Sequence, residues 1–462
     1  MREGLQKVLS DDETIVAIST PLGTSGIGVV RISGRECLSI ATQFFKPHSQ
    51  NCSVQHRLAL VGSWHDAGEV EIDEVVITFF RAPNSYTGED VLEISAHGSP
   101  LALRRVVGTA IAAGARLAVP GEFTLRAVAH GKMDLVQAEG VRDFIESQTE
   151  LQARNALRQM QGSLSRRVRP VKDDLIDVVA GLEAGIDFAE DDIELPSNPG
   201  LVDTIRDLRV KLEQLKDTFG FGKILAQGLR LAIVGKPNVG KSSLFNRLVS
   251  SDRAIVTSIP GTTRDVLTET IDLDGVPITF ADTAGIRQTR DEVESIGVTR
   301  TFETVSEADL ALILFDGASF FDDDDRQALS RGSSIPHLII VNKIDLPQVI
   351  DAGAFNGSKR LFVSAKTGQG FEEIRRSLQT FLFSGKSPSV EDSVLTNARQ
   401  HEVVSIATEA LKSAEQGLSC DIPHEMVLLD LYRALGALGE LTGDVVTEDI
   451  LDRIFSSFCI GK

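Results

Sequence analysis

Short apolar runs separated by turn residues fill the first quarter of the chain. Four of these runs have the length and composition of β-strands, and an apolar segment with helical spacing follows them. The predicted strands are Ile15–Ser19, Gly28–Ile32, Val75–Phe79 and Val91–Ser95, and the predicted helix is Pro100–Ala113. The pattern predicts a small α/β or α+β domain over residues 1–121.

Helical spacing dominates two separate stretches, residues 122–228 and 385–462. Between them, residues 229–384 carry compact β-type runs that alternate with helical segments. These runs are Leu229–Val234, Ile278–Ala281, Leu310–Phe315, Leu338–Val341 and Leu361–Val363. The alternation is typical of a doubly wound parallel sheet. The sequence therefore predicts an α/β multidomain protein in which an α/β domain is inserted into a discontinuous helical domain.

Composition and charge exclude several classes of protein. The 462 residues are 42% hydrophobic and 24% charged, and the formal net charge is −19. Such an acidic chain is a poor non-specific coat for nucleic acid, which needs a basic surface. No apolar run is long enough to span a membrane and no signal peptide is recognisable, so we expect a cytoplasmic protein without membrane contact. The four cysteines form neither a CxxC pair nor a zinc-ligand spacing.

Charge is distributed unevenly in the first helical stretch. Residues 151–172 carry six basic side chains and no acid, whereas residues 173–194 carry nine acids and no base. These windows are either two oppositely charged, solvated helix faces that pack together, or a basic face that contacts RNA or a partner protein. The sequence leaves both interpretations open.

A phosphate-binding loop is the most specific motif in the chain. Residues 235–242 read GKPNVGKS, follow an apolar strand and precede a helix, which is the context that the motif requires. Its glycines allow backbone N–H groups to wrap around phosphate oxygens, and Lys241 adds a cation at the β- and γ-phosphates. The Ser242 hydroxyl can bind Mg²⁺, and Thr263 in the switch segment Pro260–Asp265 can complete the shell of that ion.

Three further motifs follow in order at the ends of predicted strands. DTAG at 282–285 supplies a carboxylate for the Mg²⁺ shell and a glycine amide for the γ-phosphate. NKID at 342–345 contains Asp345, which can accept two N–H bonds from guanine that adenine cannot supply. Ser364–Lys366 fits the loop beside the base. Together the motifs specify a GTPase.

The side chain that orients the attacking water is not evident from the motifs alone. Ile286 stands where many GTPases have a glutamine. Glu292 and Glu294 in the following segment are either its replacement or solvated loop carboxylates. Likewise, Arg264 and Arg287 are either arginine fingers in cis or partners in surface salt bridges.

These motifs resemble those of the TrmE–Era–Der group of GTPases. Within the inserted domain the matching strings are GKPNVGKSS, IPGTTRD, DTAGIR, NKID and SAK. Elsewhere, YTGEDVLEISAHGSP, GEFTLRAVAHGKMDLVQAEG and the terminal FCIGK resemble the MnmE (TrmE) family of tRNA-modification GTPases, over essentially the whole chain after the first dozen residues. The resemblance implies an N-terminal tetrahydrofolate-binding and dimerisation domain (1–121), a helical domain in two parts (122–228 and 385–462) and an inserted G domain (229–384).

The resemblance implies a GTP site that draws on every motif of the G domain. Its catalytic residues would be Lys241, Asp282 and Glu294, with Glu294 orienting the attacking water through a second water. The nucleotide contacts would come from Asn238, Val239, Gly240, Lys241, Ser242, Ser243, Thr257, Ser258, Ile259, Pro260, Gly261, Thr262, Thr263, Asp282, Thr283, Ala284, Gly285, Asn342, Lys343, Asp345, Ser364, Ala365 and Lys366.

The family uses a K⁺ ion beside the nucleotide in place of an arginine finger. A cation there neutralises charge that develops between the β- and γ-phosphates. The motif match implies that Asn238, Thr257, Ile259 and Thr262 bind K⁺, while Mg²⁺ is bound by Ser242 and Thr263. In the family, two G domains meet across their nucleotides, and this contact orders the loop and stimulates hydrolysis.

The resemblance also implies a folate site at which a 5-formyl or methylene tetrahydrofolate supplies a one-carbon unit. Arg31, Glu93, Lys132 and Lys462 match its residues. Arg31 and Lys132 are cations suited to the glutamate tail or the pterin oxygens, and Glu93 can accept paired N–H groups from the pterin ring. Cys459 in the terminal CIGK is either a reactive thiol near this site or a plain buried cysteine.

The partners that the resemblance implies are a second copy of the chain, tRNA and a flavoprotein. The homodimer would join an FAD-containing protein of the MnmG type in a heterotetramer. Together they would install an aminomethyl or carboxymethylaminomethyl group on C5 of the tRNA wobble uridine. Two rival hypotheses are a ribosome-assembly GTPase that modifies nothing and a folate enzyme whose turnover GTP merely regulates.

Overall fold

The computed structural model describes residues 13–49, 53–187, 198–251, 253–255, 270–281, 305, 308–350, 352–355, 359–383, 394–445 and 447–461. The chain separates into two compact units. One contains residues 1–142, 157–213 and 402–462, and the other contains residues 143–156 and 214–401. The domain boundaries given above from the sequence stay a prediction.

A seven-stranded sheet forms the N-terminal part of the first unit. Its strands are β1 (Ile15–Ile18), β2 (Ser25–Ser33), β3 (Phe45–Pro47), β4 (Ala59–His65), β5 (Glu71–Phe80), β6 (Val91–Gly98) and β7 (Arg116–Leu117). Their order across the sheet is β3-β4-β5-β6-β2-β1-β7. All neighbours are antiparallel except β1 and β7, which are parallel.

The four strands and the helix predicted for this region are present. They correspond to β1, β2, β5, β6 and α2 (Pro100–Ala112), while β3, β4, β7 and α1 (Cys37–Phe44) were not predicted. Helix α2 begins at Pro100 because the Ser99 hydroxyl accepts a hydrogen bond from the Ala102 amide, and proline is well suited to the first helical position.

Strands β2 and β6 divide their side chains between the core and the opposite face. Val30 and Ile32 are fully buried in the core of the unit. Arg31 lies between them and is directly opposite Glu93 of β6 in the antiparallel register. Because successive strand residues point to opposite faces, this register places Arg31 and Glu93 together away from the core.

The chain is helical on both sides of the second sheet, as predicted. The helices are α3 (Glu122–Ala129), α4 (Leu135–Glu146), α5 (Glu150–Met160), α6 (Ser163–Asp187), α7 (Asn198–Lys216), α8 (Phe219–Gln227), α12 (Ala398–Ser419), α13 (His424–Thr442) and α14 (Glu448–Phe455). In the first unit α13 packs along α6, and α14 packs against α3. None of the helices in the described ranges has the length and apolar character needed to cross a membrane.

The second unit is built on another seven-stranded sheet. Its elements are β8 (Leu229–Val234), α9 (Lys241–Ser251), β9 (Arg253–Ile255), β10 (Thr270–Leu273), β11 (Val276–Phe280), β12 (Leu310–Asp316), α10 (Asp323–Gly332), β13 (His337–Asn342), a 3₁₀ turn (Ala352–Phe355), β14 (Arg360–Phe362) and α11 (Phe371–Phe383). The strand order is β14-β13-β12-β8-β11-β10-β9.

The prediction of a doubly wound sheet is confirmed, with one correction. Five strands are parallel, but β10 and β9 extend the sheet antiparallel beyond β11. Both faces are covered by helices, because the leucines of β12 pack with α9 and α11 while Ala311, Ile313 and Phe315 pack with α10. A strand buried on both faces reads as the continuous apolar run seen in the sequence.

The antiparallel extension begins at a two-residue turn between β10 and β11. Asp274 and Gly275 both have positive φ, 54° and 89°, as such hairpins require. An Asp-Gly pair between apolar runs is a sequence signal for this turn, so the hairpin was predictable. Within the same unit, the Thr149 hydroxyl donates to the Gly275 carbonyl at 2.6 Å, and Leu151 packs against Gly275.

Candidate functional site

The GKPNVGKS loop joins β8 to α9 and packs closely on the neighbouring strands. Asn238 and Gly240 have positive φ, 62° and 102°. A Cβ atom on Gly240 would lie 2.3 Å from Nδ2 of Asn342, and one on Gly235 would lie 2.7 Å from the carbonyl oxygen of Leu314. Glycine at these positions therefore allows the loop to lie against the ends of β12 and β13, in the strand–loop–helix arrangement of phosphate-binding loops.

Lys241 folds back onto this loop. Its Nζ donates to the carbonyl oxygens of Gly235 at 2.8 Å and Lys236 at 2.9 Å. Burial lowers the pKa of Lys241, since removal from water disfavours the charged ammonium. The two partners are neutral carbonyls, so an anionic oxygen at this position would be the stronger partner for the ammonium. Next to it, Ser242 lies half-buried and Ser243 exposed in the first turn of α9.

Asn342 connects the phosphate-binding loop to the loop that contains Ser364–Lys366. Its buried side chain donates from Nδ2 to the Val239 carbonyl at 2.8 Å and accepts at Oδ1 from the Ala365 amide at 2.9 Å. Arg247 of α9 reinforces the connection by donating to the carbonyl oxygen of Ala365 at 3.1 Å and of Lys366 at 2.9 Å. Two segments more than a hundred residues apart are thus held as one surface.

The remaining NKID residues line the same surface. The Ser364 hydroxyl donates to Asp345 Oδ1 at 2.7 Å, and this bond is the main reason that the pKa of Asp345 is lowered. Lys343 has a positive φ of 64°, and its Nζ forms an ion pair with Asp316 Oδ2 at 2.6 Å. The arrangement keeps Asp345 ionised and able to accept N–H groups at the edge of the sheet.

Several predicted residues lie outside the described residues. In the described part of the chain, no group of three or more His, Cys, Asp or Glu side chains is arranged to hold a metal ion. The predictions that fall outside are Thr257, Ser258, Ile259, Pro260, Gly261, Thr262, Thr263, Arg264, Asp282, Thr283, Ala284, Gly285, Arg287, Glu292, Glu294 and Lys462.

A second polar site lies on the N-terminal sheet at Arg31 and Glu93. The Arg31 Nε and Nη2 atoms both donate to Glu93 Oε1, at 3.0 and 2.8 Å. The guanidinium carbon lies 5.3 Å from the ring centroid of Tyr86 and 5.7 Å from that of Phe123. A partly exposed ion pair beside two aromatic rings can bind a planar polar ring by stacking and hydrogen bonding.

The C-terminal tail completes this second site. The Gly461 carbonyl accepts hydrogen bonds from Ser19 Oγ at 3.1 Å and from Arg31 Nη1 at 3.4 Å. Gly461 has a φ of 97°, and a Cβ atom there would lie 2.5 Å from the Ile18 carbonyl oxygen. Only glycine allows the tail to approach β1 this closely.

Lys132 contacts the loop that also carries Tyr86. Its Nζ donates to the Pro83 carbonyl at 2.9 Å. In the same loop, a Cβ atom on Gly88 would lie 2.8 Å from His130 Cβ and 3.5 Å from Lys132 Cγ. One loop therefore contacts Arg31 through Tyr86 and Lys132 through Pro83, which brings three of the four residues predicted for the folate site to one region.

A buried ion network holds that loop in place. Arg126, 2% exposed, donates to the Glu89 carboxylate at 3.0 Å and to Glu122 Oε1 at 3.0 Å. Although burial opposes the ionisation of Glu122, the hydrogen bond from Arg116 and the nearby Arg126 charge lower its pKa. Ser33 also donates to Glu89 at 2.7 Å. The charges are paired, as buried ions must be.

Comparisons with known proteins identify the chain. A family model described as the MnmE helical domain matches residues 135–459, and one described as the GTP-binding protein TrmE N-terminus matches residues 14–132. The tRNA modification GTPase MnmE of Koribacter versatilis is 48% identical over 98% of this chain and 99% of its own length. The chain belongs to the MnmE family of tRNA modification GTPases.

A second relative agrees with membership of the MnmE family. The tRNA modification GTPase MnmE of Aquifex aeolicus is 42% identical over 97% of this chain and 100% of its own length. The G domain of the T. maritima FeoB iron transporter is 23% identical over 33% of this chain and 98% of its own, with a TM-score of 0.25, an overlap too low to bear on fold or function. The two family models and the relatives confirm the predicted family, and the family models with the two sheets described above confirm the predicted fold class.

The structure settles one alternative and adds residues to both sites of this MnmE-family chain. Cys459 is exposed, so the interpretation as a buried cysteine is wrong. Sequence reasoning missed Tyr86, Phe123 and Gly461 at the N-terminal site and Asp316 at the NKID loop. Tyr86 lies in the YTGED string that already marked the family, but no local pattern distinguishes Phe123.

The basic window at 151–172 has internal partners at several positions. Arg154 pairs with Glu150 at 2.5 Å, Lys172 forms an ion pair with Asp444, and Arg166 donates to the Gln161 carbonyl. None of these three partners lies in the acidic window 173–194, so the contacts do not show the two windows packing together. Contact of this window with RNA stays a prediction.

Proposed function

We propose that this chain binds GTP on the surface formed by the phosphate-binding loop and the NKID loop, and that it hydrolyses the nucleotide. The observation that carries the proposal is the bridge made by Asn342, which ties Val239 of the first loop to Ala365 beside the base-reading Asp345. An ionised carboxylate at that position accepts two N–H groups of guanine, whereas adenine offers no such pair.

In this proposal Lys241 exchanges its two carbonyl partners for oxygens of the β- and γ-phosphates. The exchange is favourable because the ammonium is buried and its present partners are neutral. The further nucleotide contacts are made by residues 238–240, 242–243, 257–263, 282–285, 342–343, 345 and 364–366. Glu294 orients the attacking water, and Asp282 orients the metal shell.

The proposed metal ligands come from the phosphate-binding loop and the switch segment. Ser242 and Thr263 bind Mg²⁺, while Asn238, Thr257, Ile259 and Thr262 bind K⁺. Asn238 suits this role because its exposed amide stands at a left-handed position of the loop, where a second segment can reach it. The cations neutralise charge on the phosphates during hydrolysis.

The N-terminal site binds a tetrahydrofolate derivative in the 5-formyl or methylene form. Arg31, Glu93, Lys132 and Lys462 hold it, and the two rings beside Arg31 offer a surface on which a pterin stacks. Glu93 Oε1 receives both bonds from Arg31, and in the part of the chain that the structure describes Oε2 is left to accept N–H groups of the ring.

The product of the activity is a tRNA modified at C5 of the wobble uridine with an aminomethyl or carboxymethylaminomethyl group. The chain acts in the cytoplasm as a homodimer joined through residues 1–121, together with an FAD-containing partner of the MnmG type. Relatives named tRNA modification GTPase MnmE support this proposal. Association of two G domains, with K⁺ bound beside the nucleotide, stimulates GTP hydrolysis.

Replacement of Asp345 tests the base preference. Asp345→Asn places an amide N–H where the carboxylate accepted from guanine, so GTP affinity should fall about a hundredfold. Xanthosine triphosphate has a carbonyl in place of the guanine amino group, so its affinity for the variant should rise. Nucleotide titrations by fluorescence measure both. Asp324→Asn, an exposed carboxylate of the same unit, is the control. Equal GTP affinity of Asp345→Asn and wild type would overturn the assignment of this site.

Nucleoside mass spectrometry of tRNA tests the wider function. Cells that lack the gene should lose the C5-modified wobble uridines, and the wild-type gene should restore them. Glu294→Ala should not restore them, since hydrolysis drives the modification. If the modified nucleosides persist in the deletion strain, the tRNA-modification proposal fails while the GTP site stands.

A further inference from the structure

The side chain of Lys236, the second residue of the phosphate-binding loop, is held by two carboxylates at the N-terminal end of α10. Its Nζ lies 2.7 Å from Asp322 Oδ2 and 2.7 Å from Asp325 Oδ2. The lysine side chain is 14% exposed and that of Asp325 is 2% exposed. The contact is therefore a largely buried ion pair, which is worth more than a surface pair and is costly to break.

Asp322 and Asp325 also form the capping box of α10. Asp322 Oδ1 accepts from the Asp325 amide at 3.0 Å, and Asp325 Oδ2 accepts from the Asp322 amide at 3.2 Å. The cap bond and the ion pair with Lys236 both go to Asp325 Oδ2, while Oδ1 is buried and has no hydrogen-bond partner among the described residues. The amide oxygen of an asparagine can accept the same bond from the Asp322 amide, so the cap bond by itself does not require a charge. The charge at 325 therefore calls for another reason, and its contact with Lys236 supplies one.

A chain of contacts leads from Asp325 to Lys241. Asp325 binds the side chain of Lys236, and the backbone carbonyl of Lys236 accepts from Lys241 Nζ at 2.9 Å. Lys236 thus links a buried carboxylate outside the loop to the ammonium that the proposed function brings to the phosphates. Loss of the ion pair removes this restraint on residue 236, and so on the backbone of the loop that the proposed function wraps around the phosphates.

We infer that Asp325 is a positioning residue for the nucleotide site, acting through Lys236 to hold the phosphate-binding loop in the conformation that receives phosphate. The inference rests on the proposed GTP-binding function. It separates the role of Asp325 from that of its neighbours Asp323 and Asp324, which are exposed on the same turn.

A double-mutant cycle of Asp325→Asn and Lys236→Met tests the inference. The asparagine retains the cap and removes the charge, and the methionine removes the ammonium while it keeps the chain length. We expect each single variant to weaken GTP binding about tenfold, and the double variant to be no weaker than the poorer single variant, because both remove one interaction. KM should rise in parallel while kcat stays within about threefold.

Two further variants and a stability measurement separate positioning from folding. Asp324→Asn removes a carboxylate from the same helical turn and should leave GTP affinity within about twofold of wild type. Lys236→Arg keeps a positive charge beside Asp325 and should retain most of the affinity of the wild type. An Asp325→Asn chain that unfolds at a lower temperature but binds GTP like wild type would show that the ion pair with Lys236 stabilises the fold without positioning the loop. Additive losses in the double variant would also overturn the inference. A wild-type chain that binds no guanine nucleotide would instead refute the proposed function, and the inference with it.

Discussion

The nucleotide site and the N-terminal site are assembled in opposite ways. The nucleotide site draws on short continuous motifs, each at the carboxyl end of a parallel strand, so their order in sequence already predicts their convergence. The N-terminal site joins Arg31 to Glu93 across an antiparallel register and to Gly461, 430 residues away in sequence. In the parallel sheet the topology alone brings local motifs to one edge. The second site depends instead on contacts between distant segments, which no local sequence pattern encodes.

The two sites also differ in how their central cation is partnered. Among the described residues, Lys241 Nζ donates to two neutral carbonyl oxygens, and burial lowers the pKa of Lys241, so the ammonium is placed to bind an anion. Arg31 is already neutralised by Glu93 and lies beside two rings. Removal of Lys241 should therefore abolish an anion site, while removal of Arg31 should release a carboxylate and disorganise a hydrogen-bonding surface.

The largest effect is expected at the nucleotide site. Lys241→Ala should reduce GTP hydrolysis about a hundred- to a thousandfold, because a preorganised cation at the phosphates is lost. The melting temperature should stay equal or rise, since burial disfavours the charged ammonium. Hydrolysis assays and thermal unfolding measure the two effects. Lys359→Ala, an exposed lysine of the same unit, is the control. If Lys241→Ala hydrolyses GTP like wild type, Lys241 is not the anion-binding cation of the nucleotide site, and the proposed difference from Arg31 is wrong.

The second effect tests the independence of the N-terminal site. Arg31→Ala should weaken binding of 5-formyltetrahydrofolate about tenfold or more, because it removes a stacked cation and leaves Glu93 without its partner. GTP hydrolysis without folate should be unchanged. Isothermal titration and hydrolysis assays give both results. Arg104→Ala, an exposed arginine of α2, should alter neither. Equal loss of folate binding in the two variants would contradict the assignment.

A smaller effect is expected from the docking of the tail. Gly461→Ala places a methyl group against the Ile18 carbonyl at a positive φ, so the tail should shift and folate binding should weaken several-fold, for a strain of about 1 kcal/mol. Gly436→Ala is the matched control, because its Cβ meets nothing within 4 Å on helix α13. That control should be neutral or stabilising. If both variants bind folate like wild type, the tail is not part of the site.

The smallest effect concerns pH at the base-reading carboxylate. The hydrogen bond from Ser364 lowers the pKa of Asp345, so its contribution to binding and stability is present above the ordinary Asp pKa and is lost as pH falls through the lower folded value. Ser364→Ala should raise that pKa. The ratio of GDP affinities of variant and wild type should therefore fall as the pH is lowered from 7 towards about 4. A ratio independent of pH would show that Ser364 does not tune Asp345.

Local patterns predicted much of the fold for identifiable reasons. The runs Leu310–Phe315 and Leu338–Val341 are strands buried on both faces, so continuous apolar sequence marked them. Strand β4, with Gly62 and Ser63 among its residues, is less continuous and was not predicted. The Asp-Gly pair at 274–275 is a clear hairpin signal, but the antiparallel hairpin was not predicted because the whole sheet was expected to be parallel.

The sequence by itself determined the family, the guanine-nucleotide motifs and the doubly wound sheet, because each depends on neighbouring residues that meet within one strand, loop or helix. Tertiary structure alone decided that Arg31 faces Glu93 and Gly461, that Asn342 joins two loops, and that Lys236 meets Asp325. These contacts require a strand register, a docked tail and a packed helix. Their energies arise from burial and hydrogen bonding between distant segments, which only the folded chain brings together.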